Sequence, residues 1–175
     1  MLIRPVQIQD TQAVLHIYTP YILTTAFTFE TTIPTIEEFE ERIKTYTQKY
    51  PWLVAEDDGM IIGYAYAGKH RDREAYQWCV ESSVYVQENY HGKNVAYELY
   101  TQLFKLLKQA GFINVYAGVT QPNPKSISFH TKMGFEHFAT YKNIGHKLGK
   151  WHDVAWLVKV INEHSDHPAT PLFGR

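Results

Sequence analysis

The feature that constrains this chain most lies between Val84 and Leu107. An apolar run ending at Val86 gives way to a polar loop, Tyr90-His91-Gly92-Lys93-Asn94-Val95-Ala96, and then to an amphipathic helix. Ala96, Leu99, Leu103, Leu106, Leu107 and Ala110 recur at helical spacing until Gly111 stops them. A loop that turns sharply into a helix start presents backbone N–H groups with no intrahelical partner. Together with the helix dipole, these favour a phosphate or pyrophosphate. Gly92 lets the backbone approach closely, Asn94 tolerates the left-handed conformation, and Lys93 adds positive charge. An ordinary strand-to-helix connection fits the same spacing, so the loop alone does not decide a function.

The rest of the chain supplies a frame around this unit. Leu2 to Val6 reads as a short strand, and Asp10 as the cap of a helix carrying Ala13, Ile17 and Tyr21 on one stripe. Thr24 to Pro34 reads as a loop. Thr35-Ile36-Glu37-Glu38 is a capping box that opens a second helix, which ends before Pro51. Two apolar runs, Trp52 to Glu56 and Met60 to Ala67, flank the hairpin signal Asp57-Asp58-Gly59. Ala75 to Val86 alternates as one long strand, and Asn114 to Thr120 is a shorter one. Pro124 opens a short helix over Ser126 to Lys132 that Gly134 stops, and Phe135 to Tyr141 and Trp151 to Val160 close the pattern as strands. The tail after Ile161 is polar and expected to fray. The predicted order is β, α, α, β, β, β, α, β, α, β, β: a mixed α/β chain with antiparallel strands ahead of the long helix.

Composition narrows the function. A chain of 175 residues with 45% hydrophobic and 20% charged residues makes one domain with a real core. Net charge is −1, and no basic block points to nucleic acid. Cys79 is the sole cysteine, so no intrachain disulfide forms. His164 and His167 lie in the polar tail without a cysteine nearby, and no metal site is expected. No apolar run reaches the roughly 18 residues of a membrane span, and the first residues do not read as a signal peptide, so a cytoplasmic protein is expected.

Several residues carry possible chemistry. Glu81 lies inside an apolar strand, where a carboxylate that lines a cavity suits a general base; a Glu pointing to solvent is the plainer alternative. Asn123 either bonds a ligand or caps the helix that follows it, and His130 on that helix either moves a proton or is structural. In the segment from Gly145 to Trp151-His152-Asp153, adjacent strand residues point to opposite faces, so His152 and Asp153 are not expected to form a dyad.

Taken together, these segments resemble the GCN5-related N-acetyltransferases, and within them the phosphinothricin and methionine sulfoximine acetyltransferase branch. The resemblance runs from Ile3-Arg4-Pro5 to about Val160, which sets the expected domain at residues 1–161 with a tail at 162–175. It is carried by Ala26-Phe27-Thr28-Phe29-Glu30, by Arg71-Asp72-Arg73-Glu74-Ala75-Tyr76, and by Val80 to Val86. The loop at His91 to Ala96, Asn123 with Ser126 and His130, and Gly145 through Asp153 complete it. The resemblance implies a single α/β (α+β) domain: a twisted, mixed, mostly antiparallel sheet whose central strands splay apart, flanked by helices. It also implies acetyl-CoA as co-substrate, with its pantetheine arm on the backbone of Val84, Tyr85 and Val86. The pyrophosphate would sit on His91, Gly92, Lys93, Asn94, Val95 and Ala96, with Asn123 and Ser126 alongside. Direct acetyl transfer to an amine would use Glu81 as base and His130 as acid. Arg73 and Tyr76 would hold a substrate carboxylate, and Phe27, Phe29 and Glu30 would shape the pocket.

Three positions depart from the usual pattern. His91 and Asn94 stand where the superfamily loop carries Gln or Arg and Gly, so weaker CoA binding is expected. Cys79, where Thr is common, is expected in the core. The resemblance further implies a homodimer. Competing readings are acetylation of a polyamine, an aminoglycoside or a protein N-terminus, and an acyl-CoA-binding sensor with little turnover.

Overall fold

The computed structural model describes residues 1–173. Seven strands form one sheet in the order β1-β2-β3-β4-β5-β7-β6. They are β1 (Leu2–Pro5), β2 (Trp52–Asp57), β3 (Met60–Lys69), β4 (Cys79–Val86), β5 (Asn114–Thr120), β6 (Glu136–Lys147) and β7 (Lys150–Val160). The helices are α1 (Thr11–Thr24), α2 (Ile36–Thr47), α3 (Val95–Gln109) and α4 (Pro124–Lys132). Only β4 and β5 pair in parallel; the other neighbours are antiparallel. The element order and the mixed, mostly antiparallel sheet match the sequence expectation.

Alternation along β2 shows how the core divides. Leu53 and Ala55 face the layer of α3, with Leu99, Leu103 and Leu107. Trp52 and Val54 face the layer of α1 and α2, with Val14, Ile17, Phe39 and Ile43. Truncating a leucine of the α3 stripe to alanine costs about 2–5 kcal/mol at such fully buried positions.

Local signals explain most boundaries. Thr35 Oγ1 accepts the Glu38 N–H (3.1 Å) while the Glu38 carboxylate accepts the Thr35 N–H (2.8 Å), which completes the capping box. Asp58 (φ 48°) and Gly59 (φ 77°) both take positive φ, as a tight hairpin turn of the primed type requires.

Four readings need correction. Asp10 stands at the N-cap position of α1 but its side chain makes no cap bond; the carboxylate accepts two bonds from Arg4 (2.7 and 2.9 Å) and one from the Gln7 N–H. Burial pushes Asp10 up, but these donors outweigh it and hold the carboxyl below its usual range. β4 begins at Cys79, because Glu74–Tyr76 coils into a 3₁₀ turn. β6 runs on to Lys147, well past Tyr141, through a register shift between Tyr141 and Gly145. The tail is held in place: the Leu172 N–H donates to Ala110 O (2.8 Å) and Trp78 Nε1 to Ala169 O (2.8 Å).

Candidate active site

The site is built where β4 and β5 part. Their pairing covers only Cys79–Asn114, Val80–Val115 and Glu81–Tyr116. From Ser82 onward the strands diverge, and a cleft of about 930 Å³ opens between them. The Gln87 N–H donates to Ile62 O, so by alternation the odd-numbered residues of β4 address β3. The even-numbered ones address the gap, and Val84 has no partner strand there. Val86 O does not remain open, since it accepts from the Tyr21 hydroxyl (2.7 Å) and His91 Nε2 (3.0 Å).

At one end of the cleft stands the start of α3. Asn94 caps the helix backbone at φ 62°, the left-handed conformation expected of it, and its side chain makes no cap bond. The first helical bond there runs from the Glu98 N–H to Asn94 O, so the amides of Val95, Ala96 and Tyr97 lack intrahelical acceptors. Gly92 has positive φ (78°) and open space where a Cβ would stand. Backbone donors so placed suit an anion. The side chains of the loop turn elsewhere: the His91 ring faces inward to Val86 O and Tyr21, and Lys93 Nζ lies 4.7 Å over the Tyr90 ring.

The opposite wall is α4. Asn123 caps it, accepting the Ser126 N–H at Oδ1 (3.1 Å). Both line the cleft, as does His130. His130 is buried, with Nδ1 2.8 Å from Ser126 O, so Nδ1–H donates there and Nε2 is left as an acceptor for the Tyr100 hydroxyl (3.4 Å). Burial lowers the His130 pKa, and the bond to Ser126 opposes that only in part. Ser82 Oγ lies 3.3 Å from the Tyr100 hydroxyl, so a buried chain of three polar groups crosses the cleft floor. Burial raises the Tyr100 pKa, which keeps its proton in place.

Glu81 sits at the point of divergence. It is not enclosed in apolar surroundings: its side chain is 40% exposed, and Oε1 accepts from His70 Nδ1 at 2.8 Å. Phe27 lines the cleft, whereas Phe29 packs against Gly145 of β6, where a Cβ would run into its ring. Glu30 is held by Arg42 (2.6 and 3.3 Å) and by the Tyr18 hydroxyl (3.1 Å). Arg73 and Tyr76 are exposed on the segment before β4, outside the cleft walls. His152 Nε2 donates to Lys147 O, while Asp153 binds Lys142 and the Asn143 N–H, so the two form no dyad.

Sequence reasoning missed Tyr21, Ser82, Tyr100 and His70. Tyr100 carried a signal, because it falls on the buried stripe of α3 between Leu99 and Leu103. It also missed Lys147, a buried lysine whose Nζ donates to Thr28 O (2.8 Å) and so pins the Phe27–Glu30 loop.

Comparison with known proteins agrees with this geometry. The acetyltransferase (GNAT) domain family matches residues 3–156. Phosphinothricin N-acetyltransferase of Streptomyces viridochromogenes is 38% identical over 154 residues, covering 88% of this chain and 84% of that one. The L-methionine sulfoximine/L-methionine sulfone acetyltransferase of Salmonella typhimurium is 31% identical, covering 94% and 97%. Among solved structures, a GNAT phosphinothricin acetyltransferase from Sinorhizobium meliloti in complex with AcCoA superposes with a TM-score of 0.92. That match is 33% identical and covers 96% of this chain and 92% of that one. With its sheet splayed at Glu81, the open amides at the start of α3 and a family match over most of its length, the chain belongs to the GNAT acetyltransferases.

Proposed function

We propose that the protein transfers the acetyl group of acetyl-CoA directly to the amino group of a small amino acid or an analogue resembling phosphinothricin or methionine sulfoximine. One observation carries this reading: the β4–β5 ladder stops at Glu81, and the cleft that opens beyond it is lined by the unpaired edge at Val84, the start of α3 and Asn123, Ser126 and His130 of the facing wall. The names of the relatives supply the substrate class.

The residues present fit acetyl-CoA, which supplies the thioester carbonyl and the leaving thiolate. Val84 offers its backbone to an extended arm as a neighbouring strand would, and the amides of Val95 and Ala96 suit the pyrophosphate. Asn123 and Ser126 border the same path. Glu81 takes a proton from the substrate ammonium, which frees the nitrogen lone pair to attack. The N–H of Val84 or Val86 is assigned as oxyanion donor, because Tyr85 between them addresses β3. The Tyr100–His130 pair, which lines the cleft, is assigned to the leaving thiolate. Arg73 and Tyr76, both exposed beside β4, are assigned to the substrate carboxylate. The acetyltransferase domain is taken as residues 1–161. A cytoplasmic setting, where acetyl-CoA is made and used, belongs to the same reading, and no helix among the described residues is long and apolar enough to cross a membrane.

A homodimer is also part of the proposal. Phe138, Tyr141 and Ile144 on the edge strand β6, with Leu148 and Trp151 beyond it, leave large apolar side chains exposed.

The test is thiol release from acetyl-CoA with L-methionine sulfoximine, L-phosphinothricin, methionine sulfone and a set of polyamines. Turnover of the amino-acid analogues is expected. Turnover of polyamines alone would move the substrate class, and acetyl-CoA binding without turnover of any amine would leave a sensor.

A further inference from the structure

The Glu81 carboxylate has one side-chain partner among the described residues. His70 follows directly after β3, whose last pairs with β4 are Gly68–Glu81 and Lys69–Val80. Its Nδ1 lies 2.8 Å from Glu81 Oε1; a carboxylate can only accept there, so Nδ1–H is the donor. The ring is held from two more strands. It stacks on Tyr116 of β5 at 4.2 Å between centroids and 12° between planes, and Trp156 of β7 meets it edge-on at 6.0 Å. Tyr116 is also the residue opposite Glu81 in the last β4–β5 pair. The His70 side chain is 13% exposed against 40% for Glu81, so the imidazole is the enclosed member of the pair and the carboxylate the open one. The neighbouring charges are occupied elsewhere: Lys69 pairs with Asp72 at 3.2 Å, and burial keeps the Tyr116 phenol protonated.

A glutamate with three rotatable bonds samples many positions unless something holds it, and loss of alignment at a reacting group is costly. We propose that His70 is a positioning residue for Glu81, fixing Oε1 so that Oε2 is the oxygen that meets the substrate ammonium. The inference rests on the reading of Glu81 as the base. In the step it serves, an N–H bond of the ammonium breaks and an O–H bond forms at Oε2. His70 keeps its own proton throughout and touches neither substrate nor acetyl-CoA, so its contribution is to orientation alone.

The test compares His70→Ala, His70→Asn, Glu81→Gln and the double variant His70→Ala/Glu81→Gln. Each is assayed at saturating acetyl-CoA, with thermal unfolding to show that it folds. The expected result is a fall in kcat of about tenfold or more for His70→Ala, within the range for a misplaced catalytic group. The KM for acetyl-CoA stays at the wild-type value. His70→Asn keeps an N–H donor on the γ carbon, as Nδ1 is, and recovers most of the rate. His70→Ala adds no further loss in the Glu81→Gln background, because a residue that acts through Glu81 has nothing left to act on. Wild-type kcat in folded His70→Ala, with Glu81→Gln slow, would overturn the positioning role and leave the base intact. So would an Asn variant no faster than the Ala variant, or losses that multiply in the double variant. Wild-type kcat in Glu81→Gln would instead remove the base itself.

Discussion

His130 illustrates how far burial decides chemistry at a single residue. The ring is 5% exposed, and its Nδ1–H is committed to Ser126 O. Burial therefore penalises the imidazolium, and the folded-state pKa lies below the ordinary value of 6.5. The unfolded chain then takes up a proton at a pH where the native chain does not. The stability associated with this group is complete above the unfolded pKa and is lost as pH falls through and below it. Wild-type protein is expected to lose more unfolding free energy between pH 7 and pH 5.5 than His130→Gln, which keeps a polar but uncharged side chain. Urea melts of both proteins at each pH measure the difference, and equal losses would show that His130 protonates as readily folded as unfolded. At neutral pH the same burial leaves Nε2 as an acceptor for Tyr100, which is why the two residues are assigned to the thiolate together rather than His130 alone.

At the scale of elements, the α1–α2 connection and β6 depend on each other. Phe29 occupies the space that a side chain at Gly145 would take, and Lys147 two residues on holds Thr28 O. Gly145→Ala is expected to expel the Phe29 ring and loosen the Phe27–Glu30 loop. The KM for the amine should rise severalfold, on the scale of about 1–3 kcal/mol for forcing a methyl into a packed contact. The KM for acetyl-CoA should not move, since the α3 amides lie on other elements; steady-state kinetics varying each substrate in turn decides it. This coupling was not legible in the sequence, where nothing links Gly145 to Phe29, more than a hundred residues before it. The β6–β7 turn falls at Leu148 and Gly149, both with positive φ. Local signals were read well: the capping box at Thr35, the hairpin at Asp58-Gly59 and the left-handed Asn94 each follow from a few adjacent residues. What failed depends on distant partners. The alternation through Tyr76 and Trp78 looks like strand, but β3 ends opposite Val80 and β5 begins opposite Cys79, so no ladder exists to continue it. Asp10 has the residue type of a cap, but Arg4 claims it. In the site, Glu81 and His130 stand out by residue type, whereas His70 gains meaning only from the register that ends β3 beside Glu81.

For the molecule as a whole, the sheet has two unequal edges. β1 is four residues long, while β6 is twelve residues long and presents Phe138 (55% exposed), Tyr141 (41%) and Ile144 (55%). Leu148 (57%) and Trp151 (62%) extend the apolar surface around the hairpin. A long edge strand with exposed aromatic and aliphatic side chains invites association unless something covers it, and a second copy of the same surface is self-complementary under two-fold symmetry. The patch lies on the hairpin that also carries Gly145 and Lys147, so a partner seated there would rest behind the Phe27–Glu30 loop and restrain it. Light scattering across a dilution series is expected to give twice the 20.4 kDa chain mass. The double substitution Ile144→Asp and Trp151→Asp should reduce it to the single mass, because burying two carboxylates against apolar partners costs more than such a contact returns. Both positions are exposed, so the monomer should keep its fold by circular dichroism. If the loop is braced by the partner, the monomeric variant should show a raised KM for the amine and an unaltered KM for acetyl-CoA. Native protein at the single mass at every concentration would remove the dimer from the proposal, while a dimer whose dissociation leaves both constants untouched would separate assembly from substrate binding.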